Sequence, residues 1–318
     1  MKTTARIRIG TRGSKLARWQ AEWIAQQMCE RNIHVELVTI TTQGDQNVSG
    51  SIGSLGSIGI FTKEIQRALL ENRIDLAVHS LKDLPTEPVD GIFLIAVPKR
   101  VACMDVLLSQ NNCTLHQLPV GSRIGTGSIR RQSQVLFLRN DVRVLDIRGN
   151  VETRIGKLKN GDYDAIVLAR AGLERLGLER HISYTFTMDE MLPAVGQGAL
   201  GLETRCDDEQ VQECVRSLDH PPSHQAVLAE RALLAHLRGG CLAPVGAWGR
   251  VDGEGHLQLD AVVLDASGTR RLTSSQQGSA ESAIDVGEKA AKELLKQGAT
   301  SLIDTARDAK SANDNGLP

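Results

Sequence analysis

Aromatic side chains are scarce: Phe, Trp and Tyr make up 3% of the 318 residues. That excludes a surface that holds nucleic acid mainly by stacking its bases. A surplus of charge is also missing. The formal net charge is −1, so no global field draws the chain to nucleic acid or a membrane surface. The six cysteines (29, 103, 113, 206, 214 and 241) include no C-x-x-C pair. None has a histidine at zinc-site spacing, so no metal is expected. The N-terminus has no apolar signal-like core, and no window reaches the roughly 18 apolar residues of a membrane span. These absences lead to the expectation of a cytoplasmic protein with reduced thiols.

What is present is ordinary in amount and uneven in place. Hydrophobic residues are 41% and charged residues 24%, as in a soluble globular chain long enough for two or three domains. Residues 121–180 carry twelve Lys and Arg against seven Asp and Glu, whereas residues 251–318 carry seven against eleven. Arg outnumbers Lys 26 to 11. Base composition alone can raise Arg. Arginine forks also bind carboxylates and phosphates bidentately, so an anionic small ligand fits the excess.

Short apolar runs alternate with helical patterns. Strands are expected at 6–10, 34–40, 75–80 and 92–97. Helices are expected at 14–30, with Ser14 as N-cap, and at 62–72, opened by Thr62. The pattern restarts with strands near 122–125, 142–147 and 163–169 and helices at 128–139 and 151–160. This is βαβ logic with mainly parallel sheets. After residue 203 come helices near 207–219 and 223–238, strands near 245–250 and 257–264, and a helix near 282–297. The expected fold class is α/β: two α/β lobes around a cleft plus a smaller α+β C-terminal domain. The boundaries read 1–98 with 199–216, 104–192 and 221–308, followed by a frayed polar tail at 309–318.

Several turns follow strands, where open α/β sheets bind ligands. "VHSLKDLP" (78–85) places Lys82 and Asp83 at a strand end. Asp83 reads either as a turn residue or as a general acid/base or countercharge. "GTGSIRRQ" (125–132) is a Gly-rich turn with Arg130 and Arg131 in the first helical turn. The helix dipole disfavours cations there, and an anionic partner would offset the repulsion. No G-K-[ST] follows, so it is not a nucleotide-phosphate loop. "DIRGNVETR" (146–154) adds Arg148 and Arg154, and "GTRGSK" (10–15) adds Arg12 and Ser14. Three Arg-bearing turns favour a polyanionic ligand with many carboxylates, and a phosphate ligand stays open.

Cys241, in "HLRGGCLAPVG" (236–246), has three readings. It is a buried thiol, a nucleophile needing a base and an oxyanion hole, or a covalent attachment point on a permissive Gly-Gly turn. The other five cysteines read as structural or surface thiols.

These motifs, together with "YDAIVLARAGLERLGL", "LPAVGQGALGLE" and "FTKEIQRALLENRIDLAVHSLKDLP", run in order through nearly the whole chain. In this they resemble the porphobilinogen deaminase (hydroxymethylbilane synthase) family of tetrapyrrole biosynthesis. The resemblance implies three domains, the first two like type II periplasmic binding proteins. It implies a dipyrromethane cofactor joined to Cys241 through a thioether and made from substrate. Four porphobilinogen units add to it with release of ammonia, and hydrolysis frees hydroxymethylbilane. By the same resemblance Lys82, Thr126, Ser128, Arg130, Arg131 and Arg154 hold the cofactor. Arg12, Ser14, Gln20, Phe61, Arg148, Arg175 and Gln197 serve the incoming ring, and Asp83 stabilises the cation left when ammonia departs. A monomer is implied too.

The chain departs from the family pattern at four places. Ile58 stands where a lysine is expected, and Ser54 where a basic residue is common. Gly127 replaces a serine, and Arg238 replaces a glutamate beside the cysteine turn. An active enzyme is still expected, with weaker substrate binding or altered elongation. The alternatives are a two-lobed protein that binds or senses a small anion and a catalytically impaired paralogue. A thiol hydrolase lacks a histidine partner, since His79 and His236 read as packing or surface residues.

Overall fold

The computed structural model describes residues 6–40, 60–240 and 243–315, the side chains of 60, 61 and 309–315 excepted. Two compact units are present: residues 1–101 with 199–224, and residues 102–198 with 225–318.

The first unit is built on a five-stranded sheet, β2-β1-β3-β10-β4. Its strands are β1 (Ile7–Thr11), β2 (Val35–Thr39), β3 (Leu76–Ser80), β4 (Ile92–Ala96) and β10 (Leu200–Arg205). β1 runs parallel to β2 and β3, and β10 runs antiparallel to both of its neighbours. Helix α1 (Lys15–Cys29) follows β1 directly, and Ser14 caps it by accepting from the Ala17 N–H at 3.3 Å. Its Ala21, Ile24 and Met28 pack with Ile7, Ile9, Leu76 and Leu202. Helix α2 (Ile60–Leu70) starts two residues earlier than the expected opening at Thr62; Thr62 is buried inside its first turn.

The second unit repeats this order. Its sheet runs β7-β6-β8-β5-β9, from β5 (Asp105–Ser109), β6 (Arg123–Gly125), β7 (Arg143–Leu145), β8 (Ala165–Ala169) and β9 (Tyr184–Thr185). β6 is parallel to β7 and β8, and β5 is antiparallel to β8 and β9. Alternate residues of β5 and β8 enter two separate cores. Leu107, Ala165 and Val167 join one, and Val106, Leu108, Ile166 and Leu168 the other. Burial on both faces explains the unbroken apolar runs of these strands. The helices are α3 (Ile129–Leu138), α4 (Val151–Lys159), capped by the Asn150 side chain, and α5 (Arg170–Arg175).

Helices α6 (Glu209–Arg216) and α7 (Pro221–His236) follow β10. A three-stranded antiparallel sheet then forms from β11 (Val245–Val251), β12 (His256–Leu264) and β13 (Arg271–Ser279). Its inner face packs on α7, α8 (Ala283–Lys296) and α9 (Ala299–Asn315). The chain is thus α/β with two larger sheets and a smaller α+β part, as its sequence leads one to expect. The tail read as frayed is helical through Asn315.

Candidate functional site

Two parallel strands of the first unit, β1 and β3, end in turns that carry polar groups. After β1 come Arg12 and Ser14, both half-buried. After β3 a short 3-10 turn, Leu81–Asp83, places Lys82 half-buried and Asp83 exposed. The Leu81 N–H donates to the Ala199 carbonyl at 3.0 Å, which pins this turn to the start of β10. Because β1 and β3 are parallel neighbours, the two turns share one end of the sheet. Gln20, on α1, is buried and donates from Nε2 to Ser80 Oγ at 2.7 Å. Behind the turn, His79 Nε2 lies 3.0 Å from Glu203 Oε2, both side chains buried. Gln66 Nε2 donates to the two oxygens of that carboxylate at 3.2 and 3.1 Å. His79 is thus a buried packing residue and His236 an exposed one, as their sequence context suggests.

In the second unit the arginines divide into two groups. Arg148 and Arg154 lie around the exposed turn after β7. Arg148 Nε donates to Asp146 Oδ2 at 3.0 Å, and Arg154 Nε donates to the Gly149 carbonyl at 2.8 Å. Arg130, Arg131 and Arg175 are buried, at 4%, 6% and 8% exposure. Arg130 Nη1 donates to Asp105 Oδ2 and to the Leu192 carbonyl, each at 2.7 Å. Arg131 Nε donates to Asp105 Oδ1 at 2.9 Å, and Arg131 Nη1 to the Val167 carbonyl at 3.1 Å. Arg175 Nη2 donates to the Gly198 carbonyl at 2.9 Å. Thr126 is buried, and its Oγ1 accepts from the Ser128 N–H at 3.2 Å.

Asp105 is the residue that sequence reasoning missed. It begins β5, opposite Ala169 at the end of β8, and is wholly buried. Burial by itself would raise its pKa. The charges of Arg130 and Arg131 overcome that effect and hold the carboxyl well below the usual carboxylate range. Burial pushes the Arg130 guanidinium down against the pull of Asp105. Arg175 is lowered to about 10 by burial, which leaves it charged at neutral pH. Asp105 also answers the helix-dipole objection to two arginines at the start of α3: it lies 2.7 and 2.8 Å from their nitrogens.

One carboxylate between two guanidiniums leaves a net positive charge in the interior. Arg130 Nε has no hydrogen-bond partner among the described residues. An orphaned donor on a buried cation is costly unless an anion comes to it. The donor set therefore fits a group that carries carboxylates. Among the described residues no cluster of His, Cys, Asp and Glu is arranged to hold a metal ion.

Gln197 sits in the "VGQG" turn, whose Gly196 and Gly198 both have positive φ, 70° and 86°. It is buried, and Nε2 donates to the Cys103 carbonyl at 2.7 Å and to Asp105 Oδ1 at 3.0 Å. Near the cysteine turn, Gly239 and Gly240 have separate reasons to be glycine. A Cβ at Gly239 would stand 2.6 Å from Leu234 Cδ1, and Gly240 has φ 61°. Cys241, Ser54 and Ile58 lie outside the described residues, as does the side chain of Phe61.

Comparison with known proteins gives a consistent result. Residues 7–213 match the family model "Porphobilinogen deaminase, dipyromethane cofactor binding domain". Residues 224–296 match "Porphobilinogen deaminase, C-terminal domain". A porphobilinogen deaminase of Desulforudis audaxviator is 44% identical over 301 residues, covering 94% of this chain and 97% of that one. That of Geobacter sulfurreducens is 41% identical over 315 residues, 98% of each chain. Among solved structures the chain is similar to the methionine-binding protein MetQ, with 13% identity and a TM-score of 0.44 over 73% of this chain and 94% of that one. That score is too low to carry the fold, which rests on the sheet orders above.

Proposed function

This chain belongs to the porphobilinogen deaminase family, and from that premise we propose how its residues carry the reaction. The enzyme condenses four porphobilinogen molecules, with loss of ammonia from each, onto a dipyrromethane held by Cys241, and gives hydroxymethylbilane. The observation that carries the reading is the buried cationic cluster of Arg130, Arg131 and Asp105, matched to a full-length family relationship.

The dipyrromethane supplies a pyrrole terminus to which new rings are joined. Its acetate and propionate groups are the anions that the cationic cluster accepts, with Arg130, Arg131 and Arg154 as forks and Lys82, Thr126 and Ser128 as further donors. Arg12, Ser14, Arg148 and Arg175 take the carboxylates of the incoming porphobilinogen. Gln20 and Phe61 complete the surroundings of that ring; Gln197, which the resemblance also puts there, donates to Asp105 and to the Cys103 carbonyl. Asp83 is the catalytic carboxylate. Loss of ammonia leaves a cation on the porphobilinogen ring, and an Asp83 oxygen balances that charge and takes or returns the pyrrole proton. The exposed place of Asp83 at the end of β3 leaves its oxygens open to such a ring.

The same family reading makes the enzyme cytoplasmic and monomeric, with a small anionic substrate and neither nucleic acid nor membrane as partner. As a structural fact, no helix among the described residues is long and apolar enough to cross a membrane. The activity is tested by incubating the purified chain with porphobilinogen. Four ammonia molecules per hydroxymethylbilane are expected. Binding of porphobilinogen without ammonia release would favour the sensing protein or the impaired paralogue instead. Asp83→Asn should lower kcat by about 100-fold or more.

A further inference from the structure

We propose that Asp105 is the positioning residue of the arginine pair, and that Gln197 acts through Asp105 rather than on substrate. The inference rests on the reading that Arg130 and Arg131 hold the carboxylates of the dipyrromethane. A flexible guanidinium binds a carboxylate well only when its fork is already aimed. Asp105 aims two forks at once, with one carboxylate oxygen for Arg130 and the other for Arg131. The Leu192 and Val167 carbonyls take a second N–H from each.

Asp105 is itself braced. Gln197 Nε2 reaches Asp105 Oδ1 at 3.0 Å and the Cys103 carbonyl at 2.7 Å, so it spans the start of β5. The turn carrying Gln197 is fixed in turn by Glu230, on the helix α7 that leads toward Cys241. Glu230 Oε2 accepts from the Gly196 N–H and Oε1 from the Gly249 N–H, each at 2.7 Å. Glu230 and Asp105 are 0% exposed and Gln197 is 1% exposed. A continuous polar chain therefore runs from α7 through the "VGQG" turn to Asp105 and the two forks. The count of charges also matters. With a single acid for two bases, the cluster is aimed but left one negative charge short, and a carboxylate from the ligand completes it.

The test uses wild type, Asp105→Asn, Gln197→Met and the double variant, each purified as expressed. Intact mass, thermal melting and steady-state kinetics with porphobilinogen are read together. The proposal expects folded Asp105→Asn to carry the dipyrrole mass on only a minority of molecules and to lose about 100-fold in kcat/KM. It expects Gln197→Met to lose part of the mass with KM unchanged, and the double variant to be no worse than Asp105→Asn. A folded, fully modified Asp105→Asn overturns the role of Asp105. Independent, multiplying effects in the double variant overturn the role of Gln197. Should Asp105→Asn fail to fold, Gln197→Met alone decides: full modification with a raised KM refutes the proposal. Wild type without the added mass overturns both the proposal and the deaminase reading beneath it.

Discussion

Gln20 Nε2 donates to Ser80 Oγ at 2.7 Å, and this part-buried bond ties α1 to the end of β3. It couples the turn bearing Arg12 and Ser14 to the turn bearing Lys82 and Asp83. Gln20 therefore holds its place by a contact within the protein, whatever it also offers to substrate. Gln20→Leu strands the Ser80 hydroxyl. It should cost about 1 kcal/mol of stability, read as a lower denaturant midpoint. Catalysis should suffer more than stability, with a fall in kcat beside a drop of only about 2 °C in melting temperature. An unchanged kcat would show that the two turns do not need this tie.

The glycine at 127 has a local cause. A Cβ there would stand 3.0 Å from Asp146 Oδ1 and 3.1 Å from the Ile147 carbonyl. The missing serine is thus matched to a carboxylate that fills its space and pairs with Arg148 at 3.0 Å. Gly127→Ser should crowd Asp146, destabilise by about 1 kcal/mol and disturb Arg148, raising KM for porphobilinogen. Adding Asp146→Ala should restore the stability. A neutral single variant would sink this explanation.

Arg238, the reversed charge beside the cysteine turn, follows α7 with φ 50°, and its N–H donates to the Ala235 carbonyl at 2.9 Å. Its backbone is strained for any residue but glycine, while its charge suits a helix C-terminus. Arg238→Gly should raise stability by about 1 kcal/mol. Arg238→Glu keeps the strain and reverses the favourable charge, so it should lose about 0.5 kcal/mol. Thermal melts of the two variants should move in opposite directions, and equal shifts would contradict the account.

Much of the fold was legible because its signals are local. The Ser14 cap, the apolar period of α1 and the runs in β3, β4 and β8 are contained within a few residues. Among the strands left unread, β10 and β13 hide their apolar character. β10 includes Glu203 and Arg205, charged residues buried by distant partners: His79 and Gln66 for the first, Asp75 for the second. β13, "RLTSSQQGS", alternates between buried and exposed positions with polar residues in both. At the site, the Arg-bearing turns were visible, but the division of the arginines was not. Asp105 lies 25 and 26 residues from Arg130 and Arg131, and only the pairing of β5 with β8 brings them together.

The depressed pKa of Asp105 has a consequence for acid stability. Its folded value lies below the unfolded one, so its contribution is fully present above about pH 4 and is lost as pH falls further. Other paired aspartates, such as Asp75 and Asp164, shift the same way, so the comparison must be between variants. The gap in melting temperature between wild type and Asp105→Asn should be constant from neutral pH to about pH 4 and narrow below it. A gap that widens in acid would contradict the assignment of charge in the cluster.

The central claim is a covalent dipyrrole on a cysteine in a site built for its carboxylates. Intact mass of the purified chain measures it directly. The account predicts a mass above that of the sequence by one dipyrromethane, absent from Cys241→Ser and retained in Cys103→Ser. A wild-type chain at its bare sequence mass, or an adduct that survives in Cys241→Ser, would contradict it.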